Sequence, residues 1–119
     1  MSLRAISVAI SINYYSRLLR RKTPRNYGEI MNIHLNIKIS GLVQGVFFRA
    51  NAKEQADDLD IKGFAQNQPD GSVYIEAEGE KDNLEKFLHW CHTGSNMARV
   101  EKVEVSDGPL KDFKKFKVN

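Results

Sequence analysis

From Ile33 to Ser40 the chain alternates without a slip, Ile33, Leu35, Ile37 and Ile39 being apolar and His34, Asn36, Lys38 and Ser40 polar. Period two is the mark of a strand with one buried face, and it assigns the four polar residues, His34 among them, to solvent. After a loop over Gly41 to Phe48 the period changes. Phe48, Ala52, Ala56 and Leu59 fall at helical spacing, with Asn51, Lys53, Glu54, Asp57 and Asp58 outside, so Arg49 to Leu59 reads as an amphipathic helix. Asp60 and Gly63 break it. Ile61 to Gln68 then leads through Pro69, Asp70 and Gly71 into Ser72 to Glu78, where Val73, Ile75 and Ala77 alternate again, as in two strands joined by a turn. Asp82 is placed to cap a second helix, whose Leu84, Phe87, Leu88 and Cys91 lie at i, i+3, i+4 and i+7, and Gly94 stops it. Val100, Val103 and Val105 form a further strand whose alternation slips at Glu101 and Lys102, the sign of a bulge. Phe113, Phe116 and Val118 suggest a short last strand.

Strand, helix, strand, strand, helix, strand is the split βαβ order of a ferredoxin-like α+β sandwich, βαββαβ, with both helices on one face of an antiparallel sheet. A short extra C-terminal strand is compatible with that order. Residues 33–119 are expected to form one domain, preceded by an N-terminal extension over residues 1–32. The length of 119 residues suits a single core.

Composition narrows the function classes. Hydrophobic residues at 41% and charged residues at 28% argue against both disorder and a membrane bundle. Ala5 to Ile12, broken by Ser7 and Ser11, falls well short of the roughly 18 residues a span requires, so no membrane partner is expected. Cys91 is the single cysteine, which rules out an internal disulfide and suits a reducing compartment; a cytoplasmic location is the expectation. The formal charge of +3 is unevenly held: Arg4, Arg17, Arg20, Arg21, Lys22 and Arg25 face only Glu29 in the first 30 residues, which leaves the body slightly acidic. That body lacks the basic face of a nucleic-acid binder, and its strands lack the aromatic-rich pattern of a ferredoxin-like RNA-binding domain, so no nucleic-acid partner is expected.

The chemistry concentrates between the first strand and the first helix, in Gly41-Leu42-Val43-Gln44-Gly45-Val46-Phe47-Phe48-Arg49. Unpaired N–H groups at a helix start, with a glycine-bearing turn whose amides converge, make a concave donor site for phosphate. Arg49 adds a permanent charge able to donate two parallel hydrogen bonds. The same residues also describe an ordinary turn followed by a solvated arginine.

This nine-residue segment resembles the phosphate-loop signature of the acylphosphatase family without a mismatch. A second segment, Gly63-Phe64-Ala65-Gln66-Asn67 with Gly71, Val73 and Gly79, is similar to the family's other motif in residue type and spacing. The resemblance covers about residues 33–119, including Ala98-Arg99-Val100. It implies hydrolysis of acyl phosphates with no metal, no cofactor and no covalent enzyme intermediate. The implied partners are a small-molecule acyl phosphate and inorganic phosphate. Arg49 matches the phosphate-binding arginine and Asn67 the asparagine that orients the attacking water, while Gln44, Gly45, Val46, Phe47 and Phe48 match the phosphate-binding loop. The alternative reading is a non-catalytic anion-binding accessory module of the same fold. Two departures stand out: Ser95-Asn96 replaces the family's prolines and is expected to loosen a loop, and Phe116-Lys117-Val118-Asn119 lacks the usual arginine-aromatic ending, which bears on how the last strand closes near Arg49.

Other candidates have plainer readings. His89 and His92 are expected to project away from the apolar stripe that holds Cys91, which argues against a metal site. Trp90 and Tyr74 read as packing or surface aromatics. Phe47 and Phe48 are together candidates for a hydrophobic mouth for the acyl group, but core packing of at least one of them is the expected role. Asp57, Asp58 and Asp60 read as a solvated helix end. The first 30 residues are compatible with a misassigned start ahead of Met31, an expression-vector remnant at Met1-Ser2-Leu3, or an organelle-targeting peptide. Ile6, Val8, Ile10 and Ile12 alternate with polar or small residues, so this extension is also expected to pair with a sheet edge, its own or a neighbour's, with self-association as the consequence.

Overall fold

A computed structural model describes residues 32–119, and the edge-pairing expectation for the extension lies outside the described residues. Strand β1 spans Asn32–Leu42, helix α1 Phe48–Asp58, β2 Lys62–Asn67, β3 Val73–Glu80, helix α2 Lys81–Thr93, β4 Arg99–Gly108 and β5 Phe116–Val118. The sheet order is β4-β1-β3-β2-β5. The first four strands pair antiparallel. The last, β5, runs parallel to β2, with Gly63 opposite Phe116 and Ala65 opposite Val118. The fold is the ferredoxin-like α+β sandwich the periodicities implied, with a parallel edge added to its antiparallel sheet.

The alternating residues of β1 and β3 supply one floor of the core: Leu35, Ile37, Ile39, Val73, Ile75 and Ala77 are wholly buried. Ala52 and Ala56 of α1 and Leu84, Phe87 and Cys91 of α2 meet them with equally complete burial. Each such large aliphatic side chain contributes on the order of 1.5–3 kcal/mol when taken from water. The expected bulge is present: Ser40 faces Lys102 and Gly41 faces Val100, leaving Glu101 as the extra residue of β4.

Two expectations about polar residues are corrected. Asp82 does not cap α2; the cap position is Glu80, in extended conformation and with no side-chain cap bond, and Asp82 lies in the first turn. Strand β3 runs directly into α2, so no loop separates them to carry a capping residue. His34, assigned to solvent, is only 2% exposed. Its Nδ1 donates to Glu78 Oε2 at 2.7 Å, and its Nε2 lies 2.9 Å from Asn36 Oδ1 and 3.2 Å from Glu76 Oε1. The segment after β4 covers it: the backbone N–H groups of Lys111 and Phe113 donate to Glu78 at 2.6 and 3.1 Å, Lys111 Nζ reaches Glu76 at 2.7 Å, and the Phe113 ring stacks on His34. Burial alone pushes the Glu78 carboxyl up, but these amides and His34 outweigh it and hold the group below its ordinary value. Tyr74, half-buried beside the cluster and donating to Glu76, is pushed up to about 12 by burial and by that bond.

Candidate active site

The site forms where β1 ends. Val43 and Val46 are buried and pin the loop to the core. Between and after them Gly45 (φ 73°) and Phe47 (φ 64°) take left-handed conformations. Gly45 has no atom within 4 Å of where a Cβ would stand, so its backbone angle, not crowding, calls for glycine. Phe47 is the N-cap of α1, and its carbonyl accepts the Asn51 N–H at 3.0 Å. No side chain caps this helix and no acid stands in its first turn. The first-turn N–H groups, at the positive end of the helix dipole, therefore have no intrahelical or capping partner.

Arg49 projects from that same turn, half-buried, and its Nη1 donates to the main-chain oxygen of Asn119. Asn119 is itself fixed, its N–H bonding to the Ala65 carbonyl at 2.9 Å. The last strand thus closes against Arg49 despite its unusual ending. Asn67 ends β2 on the side shared with Gly63 and Ala65. That side requires glycine at 63, where a Cβ would lie 1.8 Å from the Glu76 carbonyl oxygen. The Asn67 Oδ1 is buried and has no hydrogen-bond partner. Buried amide oxygens are nearly always satisfied, so this one marks a place for a donor from solvent or ligand.

Both residues open onto one cleft of about 290 Å³, lined by Val43, Gly45, Phe47, Phe48, Ala50 and Val118 besides Arg49 and Asn67. Of the loop residues expected at the phosphate, Gly45, Phe47 and Phe48 line it. Gln44 and Val46 instead brace the loop from behind. The Gln44 side-chain amide donates to the carbonyls of Gln68 at 2.7 Å and Ser72 at 2.9 Å, tying the loop to the β2–β3 turn. The Val46 carbonyl accepts the Ser95 hydroxyl at 2.6 Å. Ser95, expected to loosen its loop, is buried and tightens the neighbouring one. Nothing in its sequence surroundings marked it except its place where prolines were expected.

One of the two phenylalanines packs in the core, as expected. Phe48 is 1% exposed and packs 5.0 Å from the Trp90 ring, whereas Phe47 is 72% exposed. Cys91 is buried on the apolar stripe. His92, expected to point away from it, is buried too, because it follows Leu88 by four residues; its Nδ1 donates to the Leu88 carbonyl at 2.7 Å, and burial holds it below the usual imidazole range. Among the described residues no group of three or more His, Cys, Asp or Glu could hold a metal ion, and no helix is long and apolar enough to cross a membrane.

Comparisons with known proteins bear on the family and the fold. The acylphosphatase family profile matches residues 35–118. An acylphosphatase from Thermus thermophilus is 48% identical over 80 residues, covering 67% of this chain and 91% of that protein. One from Archaeoglobus fulgidus is 44% identical over 86 residues, covering 72% and 97%. The crystal structure of acylphosphatase from Bacillus subtilis superposes with a TM-score of 0.72 at 31% identity over 73% of this chain and 98% of its own. Full-length HypF in its phosphate- and nucleotide-bound form matches with a TM-score of 0.70 at 26% identity, over 79% of this chain but 12% of that one.

Proposed function

The chain belongs to the acylphosphatase family, and on that premise we propose that its cleft hydrolyses acyl phosphates, with Arg49 and the loop amides holding the phosphate and Asn67 orienting the water. The observation that carries this reading is the pairing, in one cleft, of a guanidinium on an uncapped helix start with a buried amide oxygen that lacks a donor. An acyl phosphate brings the charge for the first and a water brings the hydrogen for the second. Donating one hydrogen to Asn67 Oδ1 fixes the water and turns a lone pair toward phosphorus. As the new P–O bond forms, the bond from phosphorus to the acyl oxygen breaks and its electron pair leaves with the carboxylate. One proton of the water stays on the new hydroxyl and the other passes to a phosphate oxygen, giving a carboxylate and dihydrogen phosphate.

Among the described residues, no side chain lining the cleft is a carboxylate, imidazole or thiol. That donor set supports a mechanism free of a protein base, a covalent intermediate and a metal, in which rate comes from positioning and from charge stabilisation by Arg49 and the amides. The place of the fold within the much longer HypF supports the second reading, an anion-binding module. Asn67 separates the two, since a binder gains nothing from an unsatisfied amide oxygen beside its anion. The test is steady-state hydrolysis of benzoyl phosphate with chelator present and inorganic phosphate as competitor. We expect Arg49→Ala to lose both phosphate inhibition and turnover. Asn67→Ala is expected to keep the inhibition constant within about threefold while kcat falls by about two orders of magnitude. Equal loss of binding and turnover in Asn67→Ala would remove the water-orienting role, and no turnover by the folded wild-type chain would favour the binding module.

A further inference from the structure

A second cleft lies on the segment that joins β4 to β5. Its volume of about 440 Å³ is within the range of small-ligand sites, and it shares no lining residue with the cleft of Arg49 and Asn67. Strand β5 divides the two, with Val118 lining one and its neighbours Lys117 and Asn119 the other. Lys111, Lys114, Lys115 and Lys117 line the second cleft against a single carboxylate, Asp112, in a body that is otherwise acidic. Lys111 Nζ is taken by Glu76 at 2.7 Å. Lys114, Lys115 and Lys117 are exposed, and none of them has a carboxylate partner among the described residues. Unpaired ammonium groups around one concavity repel one another, and a bound anion removes that repulsion.

The backbone that carries these lysines is fixed without a ligand. The Lys111 and Phe113 N–H groups donate to the buried Glu78 carboxylate at 2.6 and 3.1 Å, and the Lys115 carbonyl accepts the Gly63 N–H at 3.0 Å. Phe64 and Phe113, both half-buried, add an apolar wall, their rings edge to face at 5.9 Å. Lysines on an edge strand discourage pairing with another sheet. Lys111, Lys114 and Lys115 precede β5, however, and that role calls for neither a concavity nor an aromatic wall. A lone phosphate engages few ammonium groups, whereas a chain of phosphates spans several at once and gains from each. We propose that this cleft is a non-catalytic anion site for a polyphosphate chain, either free or carried on a nucleoside whose base lies against Phe113 and Phe64. The inference does not depend on what the Arg49 cleft does.

The test is isothermal titration calorimetry of sodium tripolyphosphate into the full chain at low ionic strength, with metal-free ATP as the second ligand. In a triple variant, Lys114→Gln with Lys115→Gln and Lys117→Gln, the affinity for tripolyphosphate is expected to fall by at least about tenfold. A control that removes equal charge from the helices, Lys53→Gln with Lys81→Gln and Lys86→Gln, should stay within about threefold of the wild type. Arg49→Ala should keep the lysine-dependent binding. ATP binding at least about threefold tighter than tripolyphosphate identifies the nucleoside form as the ligand, through the ring wall; equal or weaker ATP binding identifies the free chain. Unchanged affinity in the first triple variant overturns the site, and equal weakening in the two triple variants overturns it by reducing the effect to net charge. So does tripolyphosphate binding that vanishes in Arg49→Ala, which would place the anion in the first cleft, or no binding at all by the folded wild-type chain.

Discussion

Glu78 is the residue whose removal should cost the fold most for the least change in shape. Its carboxylate is 5% exposed and accepts three hydrogen bonds, from His34 Nδ1 and the Lys111 N–H at Oε2 and from the Phe113 N–H at Oε1. Glu78→Gln conserves volume but turns one acceptor into a donor. With its carbonyl kept where two bonds converge, the amide NH₂ confronts the Phe113 N–H, so one bond to a charged group is lost and two others weaken. At roughly 1.5–3 kcal/mol for a bond to a charged partner, the expected loss is about 2–4 kcal/mol. Equilibrium urea unfolding at pH 7 measures it, as a lower midpoint at unchanged slope. The pH dependence supplies a second check. Because Glu78 in the folded chain titrates below its ordinary value of 4.5, its contribution is complete above about that pH and disappears as pH falls through the lower, folded value. The gap between wild type and Glu78→Gln should therefore close in acid. Equal stability at pH 7, or a gap that widens toward acid, would refute the account of Glu78 as an ionised anchor.

Two further outcomes are expected. Ser95→Ala leaves the Val46 carbonyl without its hydroxyl donor, which should cost about 1–3 kcal/mol in urea unfolding and raise KM for an acyl phosphate by loosening the phosphate loop; an unchanged KM would show that the loop keeps its shape without this tie. Cys91 is fully buried and its thiol is pushed well above the usual range by that burial, so a thiol reagent at pH 8 should label the native chain at least about a thousandfold more slowly than the urea-unfolded chain.

Much of the fold is written locally. The alternation of Ile33 to Ile39 and the helical spacing of Leu84, Phe87, Leu88 and Cys91 require no knowledge of the rest of the chain, and each is buried as its period implied. The slip at Glu101 is equally local, since an extra residue in one strand must break its own alternation. What the pattern could not reveal is whether a polar face stays bare. Period two places His34, Glu76 and Glu78 together opposite the helices, but only the path of residues 109–115 decides that they are covered. The parallel pairing of β5 belongs to the same path. In the candidate site, two motifs single out Arg49 and Asn67, and the structure brings both to one cleft. Ser95 was not legible, because a single hydroxyl meeting a carbonyl 49 positions away leaves no periodicity to read.

The braces explain how a strained, uncapped loop keeps its shape. A helix start with free amides gains by bending a nearby side chain into a cap, and a left-handed Phe47 gains by relaxing its backbone. Three ties from three different elements oppose both changes. Gln44 is held by the β2–β3 turn, the Val46 carbonyl by Ser95 beyond α2, and Arg49 by the main chain of Asn119 at the end of β5. None of the three needs a ligand to form, so under the proposed function the donors are aimed before a phosphate arrives and little reorganisation is left for the reaction. The far-face cluster contributes to this arrangement by geometry. Glu78 fixes Lys111 and Phe113, which lead within a few residues into β5 and so to the oxygen that Arg49 grips. A carboxylate outside the cleft thereby helps set where Arg49 stands.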